Sequence, residues 1–143
     1  MSGRRIQRSA LVAYSARQIY DLVNDVACYP EFLSGCVCGV VTGNWPECYA
    51  AKLTFTLGGM RESWITQNET KAARHVNMKL LDGPFRRLEG CWQFRDLGGE
   101  GCRVSLDLDY DIAPILLPFE IGFAAFTNKL VDAFCKRARL VYG

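Results

Sequence analysis

The last stretch of the chain constrains the fold more than any other. From Pro118 to Val141, the residues Phe119, Phe123, Phe126, Leu130, Phe134, Ala138 and Val141 recur at steps of three and four. That spacing predicts one continuous apolar stripe along a single α-helix. Asn128, Asp132 and Arg139 fall on the opposite side, as a solvated face requires. Pro118 suits the first helical turn, where its missing N–H is not needed, and is expected to keep Leu117 outside the helix. At 1.5 Å per residue such a helix is about 36 Å long. A helix carrying a row of phenylalanines is not stable alone in water and needs a wide apolar partner. A curved sheet can supply it, and the space between sheet and helix is the expected functional site.

The rest of the chain supplies the strands of such a sheet. Ile6 to Val12 reads as a first strand. Ser15 and Gln18 form a capping box, with Tyr14 placed to staple onto Ile19, so a helix starts there and buries Ile19, Leu22, Val23 and Val26. A short second turn follows at Tyr29-Pro30-Glu31-Phe32-Leu33, closed by Ser34-Gly35. From Cys36 the period changes from 3.6 to 2. Strands are expected over Cys36 to Thr42, Tyr49 to Leu57, Arg61 to Glu69, His75 to Leu80, Leu88 to Arg95 and Cys102 to Ile112. Asn44-Trp45-Pro46, Gly58-Gly59, Asp82-Gly83-Pro84 and Gly98-Gly99 are the turns between them. Short turns between successive strands imply an antiparallel meander. Asp107, Asp109 and Asp111 alternate with apolar residues and are expected as an exposed row on the outer face, a more natural reading than a metal site. Gly59 and Gly90 are candidates for bends in the sheet.

Bulk properties exclude several classes. The 143 residues suit one domain over positions 1–143, able to bury about two-thirds of its unfolded surface. A net charge of +2 is too small to argue for nucleic-acid binding, and no DNA partner is expected. No apolar run approaches the roughly 18 residues of a membrane span. Met1 to Arg8 is polar and basic, so no signal peptide is read and the cytoplasm is the expected location. Seven cysteines, an odd number, with no Cys-x-x-Cys and one histidine, argue for free thiols over a disulfide framework or a metal site. There is no glycine-rich phosphate loop and no Gly-x-Ser-x-Gly elbow, and His75 alternates away from the apolar face of its strand. No enzyme activity is expected.

Several motifs fall in one order: Ser9-Ala10-Leu11-Val12, Tyr14-Ser15-Ala16, Asp21-Leu22-Val23-Asn24-Asp25-Val26, Tyr29-Pro30-x-Phe32-Leu33, then Asp82-Gly83-Pro84-Phe85-x-x-Leu88-x-Gly90-x-Trp92-x-Phe94, then Ala133-Phe134-x-x-Arg137-Ala138 and Val141-Tyr142-Gly143. Together they resemble the bacterial coenzyme Q-binding, START-like family of the polyketide cyclase superfamily, the family that includes the ribosome-association toxin RatA. The resemblance covers nearly the whole chain. It implies an α+β helix-grip fold, in which a curved antiparallel sheet wraps a C-terminal helix around an apolar tunnel. Members often carry proline at the positions held here by Ala13 and Ser34, which bears on the rigidity of the lid and not on the fold.

The resemblance implies ubiquinone, or a similar isoprenoid or acyl lipid, as a bound ligand, with no cofactor required. The expected role is a lipid-binding chaperone that supports respiration. The alternative it implies is association with the large ribosomal subunit, blocking the joining of subunits. The expected ligand-binding residues are Tyr29, Phe32, Leu33, Phe55, Trp64, Met78, Trp92, Phe94, Leu106, Leu108, Phe123, Phe126, Leu130, Phe134 and Arg137. An apolar sheet face against an apolar helix is also what a plain packed core looks like. Arg137 reads either as a side chain that snorkels past the helix end or as a donor to a ligand head group. Ile112 to Phe126 reads either as packing against the first helices or as an entrance in transient contact with the inner membrane. Arg4, Arg5, Arg8, Arg86 and Arg87 read either as solvated charge or as a patch for lipid or ribosomal-RNA phosphate.

Overall fold

The computed structural model describes residues 3–99 and 101–143. In chain order they form β1 (Arg4–Val12), α1 (Ala16–Asn24), a 3-10 turn (Val26–Glu31), β2 (Cys36–Trp45), β3 (Cys48–Leu57), β4 (Met60–Lys71), β5 (His75–Asp82), β6 (Phe85–Asp96), β7 (Cys102–Ile112), a second 3-10 turn (Pro114–Leu116), α2 (Leu117–Asn128) and α3 (Leu130–Tyr142). The strands make one antiparallel sheet in the order β1-β7-β6-β5-β4-β3-β2. Each strand from β2 to β7 pairs with the next, as short turns dictate, and β1 closes the far edge beside β7. Register shifts in β2, β5 and β6 add unpaired residues, the device that bends and twists a sheet.

The inner face carries the core. Phe55, Trp64, Val76, Trp92, Phe94, Val104, Leu106 and Tyr110 are buried beneath Phe119, Phe123, Val131, Phe134 and Ala138 of the C-terminal helices. The capping box forms as the sequence requires: the Gln18 backbone N–H donates to Ser15 Oγ at 3.1 Å, and the Ser15 N–H donates to Gln18 Oε1 at 2.9 Å. Two glycines seat α2 against the sheet. A Cβ on Gly58 would lie 1.9 Å from the Pro118 carbonyl oxygen, and one on Gly122 would lie 2.5 Å from the Gly58 nitrogen. Any side chain at either position would hold the helix off the β3–β4 turn.

Several expectations are corrected. The single helix over Pro118 to Val141 is two helices, broken at Lys129, whose φ of −106° and ψ of 1° leave the helical region. Thr127 stands just before the break. Its buried hydroxyl donates to the Phe123 and Ala124 carbonyls at 3.0 and 3.2 Å, a back-bonding arrangement that bends helices. Leu117 is inside the first helix, because the Pro114–Leu116 turn runs directly into it with helical dihedrals. Val141, read as part of the stripe, is exposed, while Thr127 and Val131 are buried in it. The β2 strand continues through Trp45, and its turn is Pro46-Glu47, where Glu47 adopts a φ of 56°. Gly59 lies in a turn with open space around it and not at a bend. Asp111 is buried at the sheet end beside Arg86, and Asp107 and Asp109 are half-buried, so the row is not the exposed one expected.

The Ile112 to Phe126 segment does not pack on the first helices. Its helix α2 lies on β3 and β1, while α1 contacts α3. Ile115, Leu117 and Ile121 are left exposed at that end, and Ile112, Phe119 and Phe123 are buried. No helix among the described residues is long and apolar enough to cross a membrane.

Candidate ligand cavity

Between the sheet and the C-terminal helices is an interior cavity of about 90 Å³. Its sheet side is formed by inward residues of β3 to β7, which alternate by the period-2 rule, and its helix side by α2 and α3. Of the residues expected to bind ligand, Tyr29, Leu33, Phe55, Trp64, Met78, Trp92, Leu106, Leu108, Phe123, Phe126, Leu130 and Phe134 line this one cavity. The aromatic walls hold each other edge to face. Trp92 and Phe134 have ring centroids 5.2 Å apart, Trp64 and Phe123 are 5.8 Å apart, and Phe55 stacks on Trp64 at 5.2 Å. Such pairs contribute about 0.5–1.5 kcal/mol beyond their buried area.

Three expected residues lie elsewhere. Phe94 is buried, with its ring against Tyr20 at 5.7 Å, and does not reach the cavity. Phe32 and Arg137 line an open groove of about 760 Å³ on the outside, between the β2 entry and the C-terminal helices. Arg137 neither snorkels freely nor points inward. Its guanidinium donates to Glu31 Oε1 at 3.2 Å and lies over the Phe32 ring at 5.0 Å, which ties α3 to the first 3-10 turn.

Cavity and groove share three lining residues, Leu33, Phe126 and Leu130. These side chains are therefore the wall between the interior and the outside. The helix break at Lys129 falls between the two of them that α2 and α3 supply.

The polar floor was not anticipated. Thr66 and Asn68 are buried and line the cavity, with Thr66 Oγ1 donating to Asn68 Oδ1 at 3.0 Å. Both follow Trp64 at steps of two on β4, so strand alternation was the signal that could have found them. Tyr49 lies beside them and donates to Asn24 Oδ1 at 2.7 Å. Burial pushes its phenol well above the usual tyrosine range. Tyr29, whose hydroxyl donates to the Val23 carbonyl, is raised for the same reason. Neither phenol is poised to give up a proton near neutrality. His75 does not line the cavity. Its neighbour Val76 does, so the imidazole belongs to the outer face. All seven cysteines are free, and burial raises Cys36 to about 11.

The arginines expected as a basic patch are largely paired. Arg4 meets Glu120 at 3.1 Å, Arg5 meets Asp107 at 2.8 Å, Arg87 meets Asp109 at 2.7 Å and Arg86 meets Asp111 at 3.9 Å. Arg8 donates to Asn128 Oδ1 at 2.5 Å. The row of strand carboxylates thus neutralises most of that patch.

This geometry is that of a hydrophobic-ligand-binding fold, and it can be set beside known proteins. The profile described as polyketide cyclase / dehydrase and lipid transport matches residues 12–135. The chain is 42% identical over 140 residues to the ribosome association toxin RatA of Pseudomonas aeruginosa, covering 96% of this chain and 97% of that protein. It is 37% identical over 140 residues to the protein of the same name from Escherichia coli strain K12, covering 96% and 89%. The crystal structure of the Zhui aromatase/cyclase from Streptomyces sp. R1128 superposes with a TM-score of 0.84 at 15% identity, over 96% of this chain and 94% of that one, which speaks to the fold alone. A profile match over most of the chain, with full-length relatives named ribosome association toxin RatA, decides the family: this chain belongs to the RatA family, within the polyketide cyclase / dehydrase and lipid transport family.

Proposed function

We propose that this chain acts at the ribosome, binding the large subunit and opposing its association with the small one. The supporting observation is its 42% identity, from end to end, with a relative named for ribosome association. The test is sedimentation through a sucrose gradient. Purified protein should travel with purified large subunits and lower the yield of joined ribosomes when both subunits are present. Protein that stays at the top of the gradient would remove this reading.

A second reading is favoured by the cavity: an isoprenoid quinone or a similar lipid, ubiquinone being the candidate, bound with its tail among the aromatic walls. An apolar interior with two convergent polar groups suits a tail with a small polar end. At about 90 Å³ the cavity is far below the roughly 300–1,000 Å³ of ordinary ligand pockets, so binding requires the Leu33–Phe126–Leu130 wall to give way. Each buried CH₂-sized unit contributes about 0.8 kcal/mol, enough for a prenyl tail to drive that opening. The polar end would meet Thr66 and Asn68 and not Arg137, which is engaged outside. Titration of delipidated protein with a short-tailed ubiquinone should saturate at one site, and a strictly linear, non-saturable response would remove the reading. The two activities are compatible, since one uses the interior and the other a surface.

A further inference from the structure

Pairing of Arg4, Arg5, Arg86 and Arg87 with carboxylates leaves a different set of cations uncommitted, and the sheet register puts them together. On the outer face, Arg95 of β6 stands directly opposite Arg103 of β7. Both are exposed, and neither has a carboxylate within salt-bridge distance among the described residues. The adjoining row runs across five strands as Lys71, His75, Gln93, Ser105 and Ser9, each directly opposite the next. Ser9, Gln93 and Ser105 also border a shallow depression of about 310 Å³ on this face.

Like charges directly opposite on neighbouring strands weaken a sheet. The same face shows that the fold can avoid this, since two rows away Asp107 takes both Arg5 and Gln7. None of the nearby carboxylates forms an ion pair with Arg95 or Arg103 among the described residues. Asp96 accepts from the Ala16 N–H at 3.2 Å, Asp107 is held by Arg5, and Glu69 and Glu47 form no ion pair.

We infer that this end of the outer face, built on Lys71, Arg95 and Arg103 with the polar row beside them, is a docking surface for the phosphate backbone of RNA. Planar guanidinium groups flanked by neutral hydrogen-bonding side chains suit phosphate and sugar contacts, which position a nucleic acid without reading its sequence. A membrane surface is the less fitting partner. Leu11, opposite Arg103, and Leu97, just after β6, are exposed at this end, whereas the exposed Ile115, Leu117 and Ile121 lie beyond Ile112, at the opposite end of β7 from Cys102. This inference rests on the ribosome reading for its biological target and names the surface that reading leaves open.

The test compares wild type, Arg95→Gln/Arg103→Gln, Arg95→Lys/Arg103→Lys and, as a charge-matched control, Lys136→Gln/Arg139→Gln. Each is measured against purified large subunits, against a ribosomal-RNA hairpin and against phosphatidylglycerol vesicles, over a salt series. The glutamine pair should bind RNA about tenfold or more weakly at 0.1 M salt, with a log–log salt slope smaller by about two. It should melt no lower than wild type, since a repulsion has been removed. The lysine pair should keep most of the slope, and the control should match wild type. If wild type binds subunits and the glutamine pair binds them equally with the same slope, the inference is overturned while the ribosome reading stands. If wild type fails to bind subunits, that reading falls, and the hairpin decides: binding that depends on Arg95 and Arg103 sustains the inference, and no binding overturns it. Patch-dependent binding to vesicles without binding to the hairpin also overturns it.

Discussion

Tyr110 lies on the inner face of β7 with its ring against Phe123, 4.8 Å between centroids. Among the described residues its hydroxyl is the one buried side-chain polar atom without a hydrogen-bond partner. Leaving such a group unsatisfied costs about 1–3 kcal/mol. Tyr110→Phe should therefore raise stability, by about 1 kcal/mol or a few degrees in Tm, measured by thermal unfolding. A drop in Tm would show that the hydroxyl finds a partner in solution. Thr66 and Asn68 are a different case, a buried pair with a hydrogen bond that runs within the pair. Replacing both partners of a buried hydrogen bond with apolar groups of similar shape is nearly neutral. Thr66→Val/Asn68→Leu should thus fold within about 1 kcal/mol of wild type, yet lose its preference for a quinone over a prenyl chain lacking carbonyls. Retained preference, read by competitive titration, would place the ligand's polar end elsewhere.

The elements were legible in the sequence to the extent that burial imposed a period. A strand with one solvated face must alternate, so β3, β6 and β7 could be read almost residue by residue, and the Ser15/Gln18 box fixed the start of α1. The break at Lys129 carried no such mark. Thr127 looks like a polar interruption of the stripe, yet by bonding its hydroxyl to carbonyls of its own helix it becomes as buried as a phenylalanine. The same blindness affected the site. Aromatic residues were found because they are large and apolar, while Thr66 and Asn68 were passed over because polar residues on a strand suggest the outer face. Arg137 shows the limit of helix geometry, since position on the stripe does not say whether a long side chain turns in or out. Its contacts with Glu31 and Phe32 make it a latch across the groove. The ion pair is largely exposed on the Glu31 side, so together the two contacts contribute only about 1 kcal/mol. Arg137→Met should therefore leave equilibrium lipid affinity within about twofold and speed exchange roughly fivefold, as stopped-flow displacement would read. A large loss of affinity with unchanged exchange would instead make Arg137 a head-group ligand.

At the scale of the molecule, sheet and helices must be both a core and a site, and these demands oppose each other. A core gains from close packing, whereas a site needs space or a wall that moves. The cavity of about 90 Å³ is a compromise: most of the aromatic surface is packed against itself, and the remaining space sits behind Leu33, Phe126 and Leu130. Enlarging side chains from the two sides separates the roles. In a fully packed core, adding bulk costs typically 1–3 kcal/mol. In a core with usable space, the added atoms fill it at little cost and displace the ligand. Leu130→Trp adds bulk from the wall and Val76→Phe from the sheet floor. Both should keep the stability of lipid-free protein within about 1 kcal/mol while abolishing saturable quinone binding, and both should still travel with large ribosomal subunits. Early melting of both variants would mean that the interior is only a core. If Val76→Phe alone lost the ligand and Leu130→Trp kept it, the tryptophan would have turned into the outer groove, which the wall position of Leu130 permits, and the site would still be the interior. Stable variants that both retain the lipid would move the site out of the interior and onto the groove beside Arg137.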